Sequence, residues 1–218
     1  MLIDAIKRNS PGIILYLTAL LTQWRLHEYG HLLAASVTGC NILMGLDSWR
    51  FTTCNSPLMV LASGVTVNLL ISLAGLYLLI YRDNAYRIFG FYLIFSGFTM
   101  NLLSSIVSIP SLIDSSLFMV ETFYKAIATL ILLVVLVHGV KRSRLNLKLS
   151  CVGWLALITI IAGGVITLTD KIFWIGYNTD IRVFKPVAGQ MLITYVFDAL
   201  LITILLPRAL KSLKIPYR

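Results

Sequence analysis

The stretch from Leu58 to Tyr81, LMVLASGVTVNLLISLAGLYLLIY, contains no charged residue. A helix crosses a bilayer with roughly 17 to 25 apolar residues, and hydrocarbon tolerates only segments whose backbone polar groups are paired internally. This stretch reads as one such crossing. Comparable runs flank it: Gly12 to about Val37 before it, then Ile88 to about Val107, Leu117 to Val140, Cys151 to Leu168 and Met191 to Leu206. The sequence therefore predicts an all-α integral membrane protein with about six transmembrane helices. Composition agrees, since 58% of the 218 residues are hydrophobic and 12% charged, against about half and a quarter in soluble domains. The net charge of +9 comes from Lys and Arg set between apolar runs rather than stacked in a stripe. It describes basic membrane flanks, and no nucleic-acid motif accompanies it. The lipid bilayer is the expected surrounding.

Local signals set the boundaries. Ser10-Pro11 reads as the start of the first helix, with Ser as N-cap and Pro at the first helical position. The run that follows is too long for a signal peptide and lacks a small-residue cleavage site, so it is expected to stay as an anchor. Gly39 is expected to end that helix. From there to Pro57 the pattern is short and mixed. Leu46-Asp47-Ser48 reads as a turn and Trp49 to Thr53 alternates in a β-favouring way, predicting a short β-hairpin-like segment after the first helix. The chain reads as a single membrane domain over 1–218, without repeats or a soluble domain.

Charge assigns sides, because short basic loops stay in the cytoplasm. With six spans, the leader, the second loop, the fourth loop and the tail share one face and carry twelve Lys and Arg. The other face carries four, namely Arg50, Lys171, Arg182 and Lys185. Both termini are therefore expected in the cytoplasm.

Late on the first apolar run stands His27-Glu28-Tyr29-Gly30-His31, which fits the pattern H-E-x-x-H. On a helix, positions i and i+4 share a face, so two imidazoles can bind one Zn²⁺ while the Glu between them activates a metal-bound water. The chain has three His and nine acidic residues in all, and two of those His fall within this pentapeptide. Under the six-span topology, His27, Glu28 and His31 approach the same face as Asn68, early on the second span, and Asp114, just beyond the third. A catalytic zinc takes three protein ligands and keeps one position open. Asp114, Glu121 and Asp198 are the carboxylates that remain as third-ligand candidates. Asp198 lies within the last span, where an ionisable residue is either functional or hydrogen bonded to neighbouring helices. His138, near the cytoplasmic end of the fourth span, reads as a surface or packing residue.

These residues resemble the site-2 protease family of intramembrane zinc metalloproteases. His27 to His31, with Gly at the fourth position, looks like that family's H-E-x-G-H. Ala62 to Leu70, with Gly64 and Asn68, is similar to its small-residue G-x-x-x-N segment. Asn101-Leu102-Leu103, Pro110 and Asp114 resemble the N-L-L-P segment that leads to an Asp-Gly, although Ser115 stands where that Gly would be and Val65 follows Gly64 where Pro is frequent. The resemblance covers a metalloprotease-like core of about 12–119, and additional helices of about 117–208 lie outside it. It implies His27, His31 and Asp114 as zinc ligands, Glu28 as the group that takes and returns a proton, and Asn68 as a polar group near the scissile carbonyl. Asn68 also reads as an interhelical hydrogen-bonding residue. The implied activity is hydrolysis of a peptide bond in a membrane-embedded or membrane-proximal substrate, a membrane protein or peptide. Two other readings remain: a non-catalytic membrane partner with a structural or vestigial metal site, and a zinc hydrolase of a non-peptide substrate.

Three further expectations concern the outer face. The segment from Cys40 to Cys54 is expected to pair with an unwound substrate as an added strand. Cys40 and Cys54 are expected to be free, small apolar residues rather than a disulfide. The aromatic residues of Thr169 to Gln190, among them Phe173, Trp174, Tyr177 and Phe184, are expected in an outer loop, as an interfacial belt ahead of a gate beside the site. The charge count places the zinc site at this outer face, whereas the resemblance implies one opening toward the cytoplasm.

Overall fold

The computed structural model describes residues 2–45, 49–54, 56–108, 116–145, 149–178, 186–187 and 190–213. Five long helices carry most of the chain: α1 (Leu2–Thr38), α2 (Pro57–Tyr81), α3 (Asn84–Ser108), α4 (Ser116–Ser143) and α5 (Leu149–Asn178). The last segment is composite, with α6 (Leu192–Leu200), a π-helical turn (Leu201–Leu205) and α7 (Leu206–Leu213). Among the described residues, four helices are long and apolar enough to cross a membrane: Pro57–Tyr81, Ala85–Ile106, Met119–Ser143 and Ser150–Ile172. The fold is all-α in its bulk, as the apolar runs predict. α1 is not among those four, and it carries more polar residues than they do. Thr18, Gln23, Arg25, His27, Glu28 and His31 are all buried, and they lie around α1 rather than on one face.

These polar groups are tied to the neighbouring helices. Gln23 Nε2 donates to Ser72 Oγ of α2 at 3.1 Å and to the Leu93 carbonyl of α3 at 2.9 Å. The Tyr16 hydroxyl bonds Thr159 of α5. Arg25 meets Asp198 of α6 at 2.6 Å. A polar side chain in an apolar bundle is tolerated when its bonds are made internally, and α1 makes them to four different helices. α2, α4 and α5 instead present exposed Leu, Ile, Val and aromatic side chains outward, Leu70, Val134 and Ile161 among them. Those are lipid-compatible faces.

Both ends of α1 inform the expected boundaries. At its C-terminus Gly39 adopts a positive φ of 68°, and Cys40 N–H bonds the Ala35 carbonyl at 2.9 Å. This is a Schellman arrangement in which a left-handed glycine terminates the helix, as expected. At the N-terminus the expectation fails. The helix begins at Leu2 and Pro11 sits inside it, where the proline removes one helical hydrogen bond and sets its ring against the carbonyl one turn earlier.

Beyond α1, β1 (Asn41–Met44) pairs antiparallel with β2 (Trp49–Thr53), Met44 opposite Trp49 and Asn41 opposite Thr53. The expected turn at Leu46-Asp47-Ser48 lies outside the described residues. Met44 also pairs in parallel with Gln190 of β4 (Gln190–Met191), which pairs with β3 (Pro186–Val187), giving the order β2-β1-β4-β3. Ile42, Met44 and Cys40 pack on Ala35 of α1 and Val60 of α2, so the sheet sits over the end of the bundle where α1 finishes and α2 begins.

Two expectations are corrected here. Cys40 and Cys54 form a disulfide, because the β1–β2 register sets Asn41 against Thr53 and carries the adjoining cysteines together. The outer aromatic loop is also shorter than expected. α5 runs on to Asn178, supported by Thr169 Oγ1 donating to the Val165 carbonyl at 2.8 Å and by Trp174 Nε1 donating to Asp170 at 3.0 Å. Phe173, Trp174 and Tyr177 are therefore helical, and Trp174 is buried rather than part of a headgroup belt. Phe184 lies outside the described residues.

Candidate metal centre

The His27 and His31 rings follow one another by a helical turn and both face α2. Their Nε2 atoms are 3.1 Å apart. Two nitrogens bound tetrahedrally to one Zn²⁺ at about 2.0–2.1 Å stand about 3.4 Å apart, so the pair is close to a ligating geometry. His31 Nδ1 lies 2.6 Å from the Val60 carbonyl. A carbonyl only accepts, so Nδ1 carries the proton and Nε2 presents a lone pair toward His27. A carbonyl that fixes the outer nitrogen in this way is the usual support of a metal-binding His. Two buried ring nitrogens facing each other call for a shared proton or a cation, and the pair fits a zinc ion on its donor chemistry.

The neighbouring helix is shaped around this pair. A Cβ on Gly64 would fall 2.7 Å from His27 Nε2 and closer still to His31 Nε2. Gly30, inside the motif, would similarly drive a Cβ to 2.9 Å from Val67 Cγ2 and 3.1 Å from the Ser63 carbonyl. α1 and α2 therefore touch through two glycines at the level of the imidazoles. One turn on from Gly64, Asn68 is fully buried beside His27. Neither its Oδ1 nor its Nδ2 makes a hydrogen bond of ordinary geometry to a described residue. Leaving a buried amide unmatched costs about 1–3 kcal/mol, and such a group commonly marks a site where a ligand supplies the partner.

No family model, curated protein or solved structure matches this chain. The site therefore stands on its own residues. Among the described residues, no His, Cys, Asp or Glu completes a group of three with His27 and His31. Asp114 lies outside the described residues.

The two other third-ligand candidates are engaged elsewhere. Asp198 takes Arg25 through both oxygens, at 2.6 Å and 3.1 Å, and accepts from the Tyr29 hydroxyl at 2.5 Å. Glu121 pairs with Lys125 at 2.6 Å within α4, and that pair acts electrostatically on His31. His138 is exposed, as expected. Arg25, Tyr29 and Lys125 are neighbours of the site that motif reading passes over. Glu121 and Lys125 had a legible signal, opposite charges at i and i+4. Arg25 had none, since its partner is far along the chain.

Proposed function

We propose that this chain is a zinc-dependent endopeptidase acting on a membrane-embedded or membrane-proximal peptide. The observation that carries the proposal is the buried pair of imidazole nitrogens 3.1 Å apart with Glu28 between them in sequence. His27 and His31 would hold a zinc ion there, with Asp114 as the third ligand on the family resemblance, and the bound metal would supply Lewis acidity for the hydrolysis. Glu28 accepts the proton of the attacking water and returns it to the leaving amine. Asn68 places a buried amide where the carbonyl oxygen gains negative charge.

The substrate enters beside the sheet. β1 is flanked on both sides, by β2 and β4, so an unwound substrate segment adds along the outer edge of β2. α1 and the composite last segment complete six spans, with both termini in the cytoplasm and the site at the opposite face. Two features support that orientation: the distribution of basic residues, and the Cys40–Cys54 disulfide at the site-bearing end, since disulfides persist in oxidising compartments. Cys151, exposed at the start of α5, marks the other end. A membrane-impermeant maleimide applied to intact cells should label Cys40 and Cys54 only after reduction, and Cys151 only after permeabilisation. The reverse pattern would put the site in the cytoplasm.

The alternative, a non-catalytic membrane partner with a structural or vestigial metal site, draws on Ser115 in place of the Gly of the family pattern. Zinc content and cleavage of a transmembrane peptide by the purified protein separate the two. Asp114→Ala is expected to weaken zinc binding at least about 100-fold, or about 2.7 kcal/mol, and to end cleavage. Unchanged zinc content would instead redirect the third ligand to Asp198 or Glu121, and zinc without cleavage of any peptide would favour the partner reading.

A further inference from the structure

At the end of the bundle away from the imidazole pair, an apolar groove of about 390 Å³ opens where α3 and α5 begin and α4 ends. Phe91 and Phe95 of α3 line its inner wall, their rings stacked with centroids 5.6 Å apart. Leu136, Val137 and Val140 of α4 and Val152 of α5 form its sides, and Lys141 lines it as well. All three helices are long and apolar enough to cross a membrane, and each contributes residues from the half of its crossing at this end. The groove therefore sits just inside one membrane face, with Lys141, in the last turn of α4, at headgroup depth.

α4 and α5 are each anchored elsewhere. Gly139 brings α4 close onto α2: a Cβ there would fall 2.7 Å from Leu79 Cδ2 and 2.9 Å from Leu76 Cδ1. Residues two apart on a helix point nearly opposite ways, so Val137 and Lys141 stand on the side away from α2. Four apart, they share that side, which sets the ammonium one turn beyond the apolar wall. α5 is tied to the bundle further along, where Thr159 bonds the Tyr16 hydroxyl. Val137 is 59% exposed, and Lys141 is exposed and forms no ion pair with a described residue. The Asp83 carboxylate, at the same end of the bundle, is held by Arg87 at 2.5 Å.

An apolar slot that ends at an ammonium group matches a long hydrocarbon chain attached to an anion, which a bilayer supplies as an acidic lipid. We propose that this groove is a binding site for an anionic phospholipid, with one acyl chain against Phe91, Phe95 and Val137 and the headgroup phosphate on Lys141. Basic pockets between membrane helices hold acidic headgroups in the same way. The stem of Lys141 lies along the apolar wall while its charge reaches the interface. The site is independent of the metal centre and of the reaction proposed for it.

The test uses the full chain in nanodiscs of equal parts phosphatidylglycerol and phosphatidylcholine with identical acyl chains, and counts the lipids retained on the protein by native mass spectrometry. Wild type should keep one phosphatidylglycerol in preference to phosphatidylcholine. Lys141→Gln should cut that preference about fivefold, the share of one basic residue at a membrane surface, whereas Arg142→Gln, outside the groove, should change it less than about twofold. Val137→Trp should lower retention of both lipids at least about tenfold by filling the slot. Ile161→Trp, at an exposed position of α5 outside the groove, should leave retention unchanged. No preference in wild type, or equal losses in Lys141→Gln and Arg142→Gln, would reduce the effect to diffuse surface charge and overturn the site. So would retention unaffected by Val137→Trp, or a lipid-free dimer, which would give the groove to a second copy. If Val137→Trp fails to fold, the two charge variants decide alone.

Discussion

Glu28→Gln should bind zinc as wild type does and lose at least about a thousandfold in kcat, equivalent to about 4 kcal/mol of transition-state stabilisation. The substitution keeps the shape of the side chain and its capacity to accept a hydrogen bond, while removing the ability to take up a proton. His27 and His31 are untouched by it, and their Nε2 atoms remain opposed. The measurement pairs metal content with cleavage of a transmembrane peptide in nanodiscs. Zinc lost together with activity would mean that Glu28 is a ligand. Cleavage within tenfold of wild type would remove Glu28 from the chemistry and with it the hydrolytic reading.

What was legible in the sequence follows the range of the interactions involved. Apolar runs report burial against lipid, so the helices holding Leu58 to Tyr81, Ile88 to about Val107, Leu117 to Val140 and Cys151 to Leu168 could be read directly. The spacing of His27 and His31 is a property of one helix, and it predicted their shared face. The Gly39 terminus was equally local. Helix ends that depend on side-chain contacts were harder: α5 continues past Leu168 because Thr169 and Asp170 bond within the helix, which hydropathy does not report.

Long-range pairings were least visible. An aspartate within an apolar run announced a function or a partner without naming it, and the partner, Arg25, stands 173 residues away. The Cys40–Cys54 bond needed the register of β1 on β2, Asn41 against Thr53 and Met44 against Trp49, which no local pattern in the sequence states. Its consequence reaches the function. The bond ties the chain leaving α1, which carries His27 and His31, to the chain entering α2, which carries Gly64 and Asn68. The two helices that form the site are thus joined covalently close to it.

Gly64→Ala should cost zinc affinity at least about 100-fold, or about 2.7 kcal/mol, while leaving the helices folded. The added Cβ would stand 2.7 Å from His27 Nε2, 2.8 Å from His27 Cε1, and nearer still to His31 Nε2, well inside van der Waals contact. The imidazoles cannot easily withdraw. His31 is held by the Val60 carbonyl, one turn away from Gly64 on the same helix, so moving α2 outward drags the anchor with it. Moving α2 sideways meets Gly30, where Ser63 and Val67 already close on α1. The remaining adjustment is rotation of the rings, which separates the two nitrogens that would share the metal. Gly164→Ala is the matched control, because a Cβ there meets nothing within 4 Å, and its zinc affinity should equal that of wild type. Chelator competition on the two variants reads the difference directly. If Gly64→Ala bound zinc as tightly as Gly164→Ala, the metal would not lie between these two imidazoles, and the close approach of α2 would serve helix packing alone.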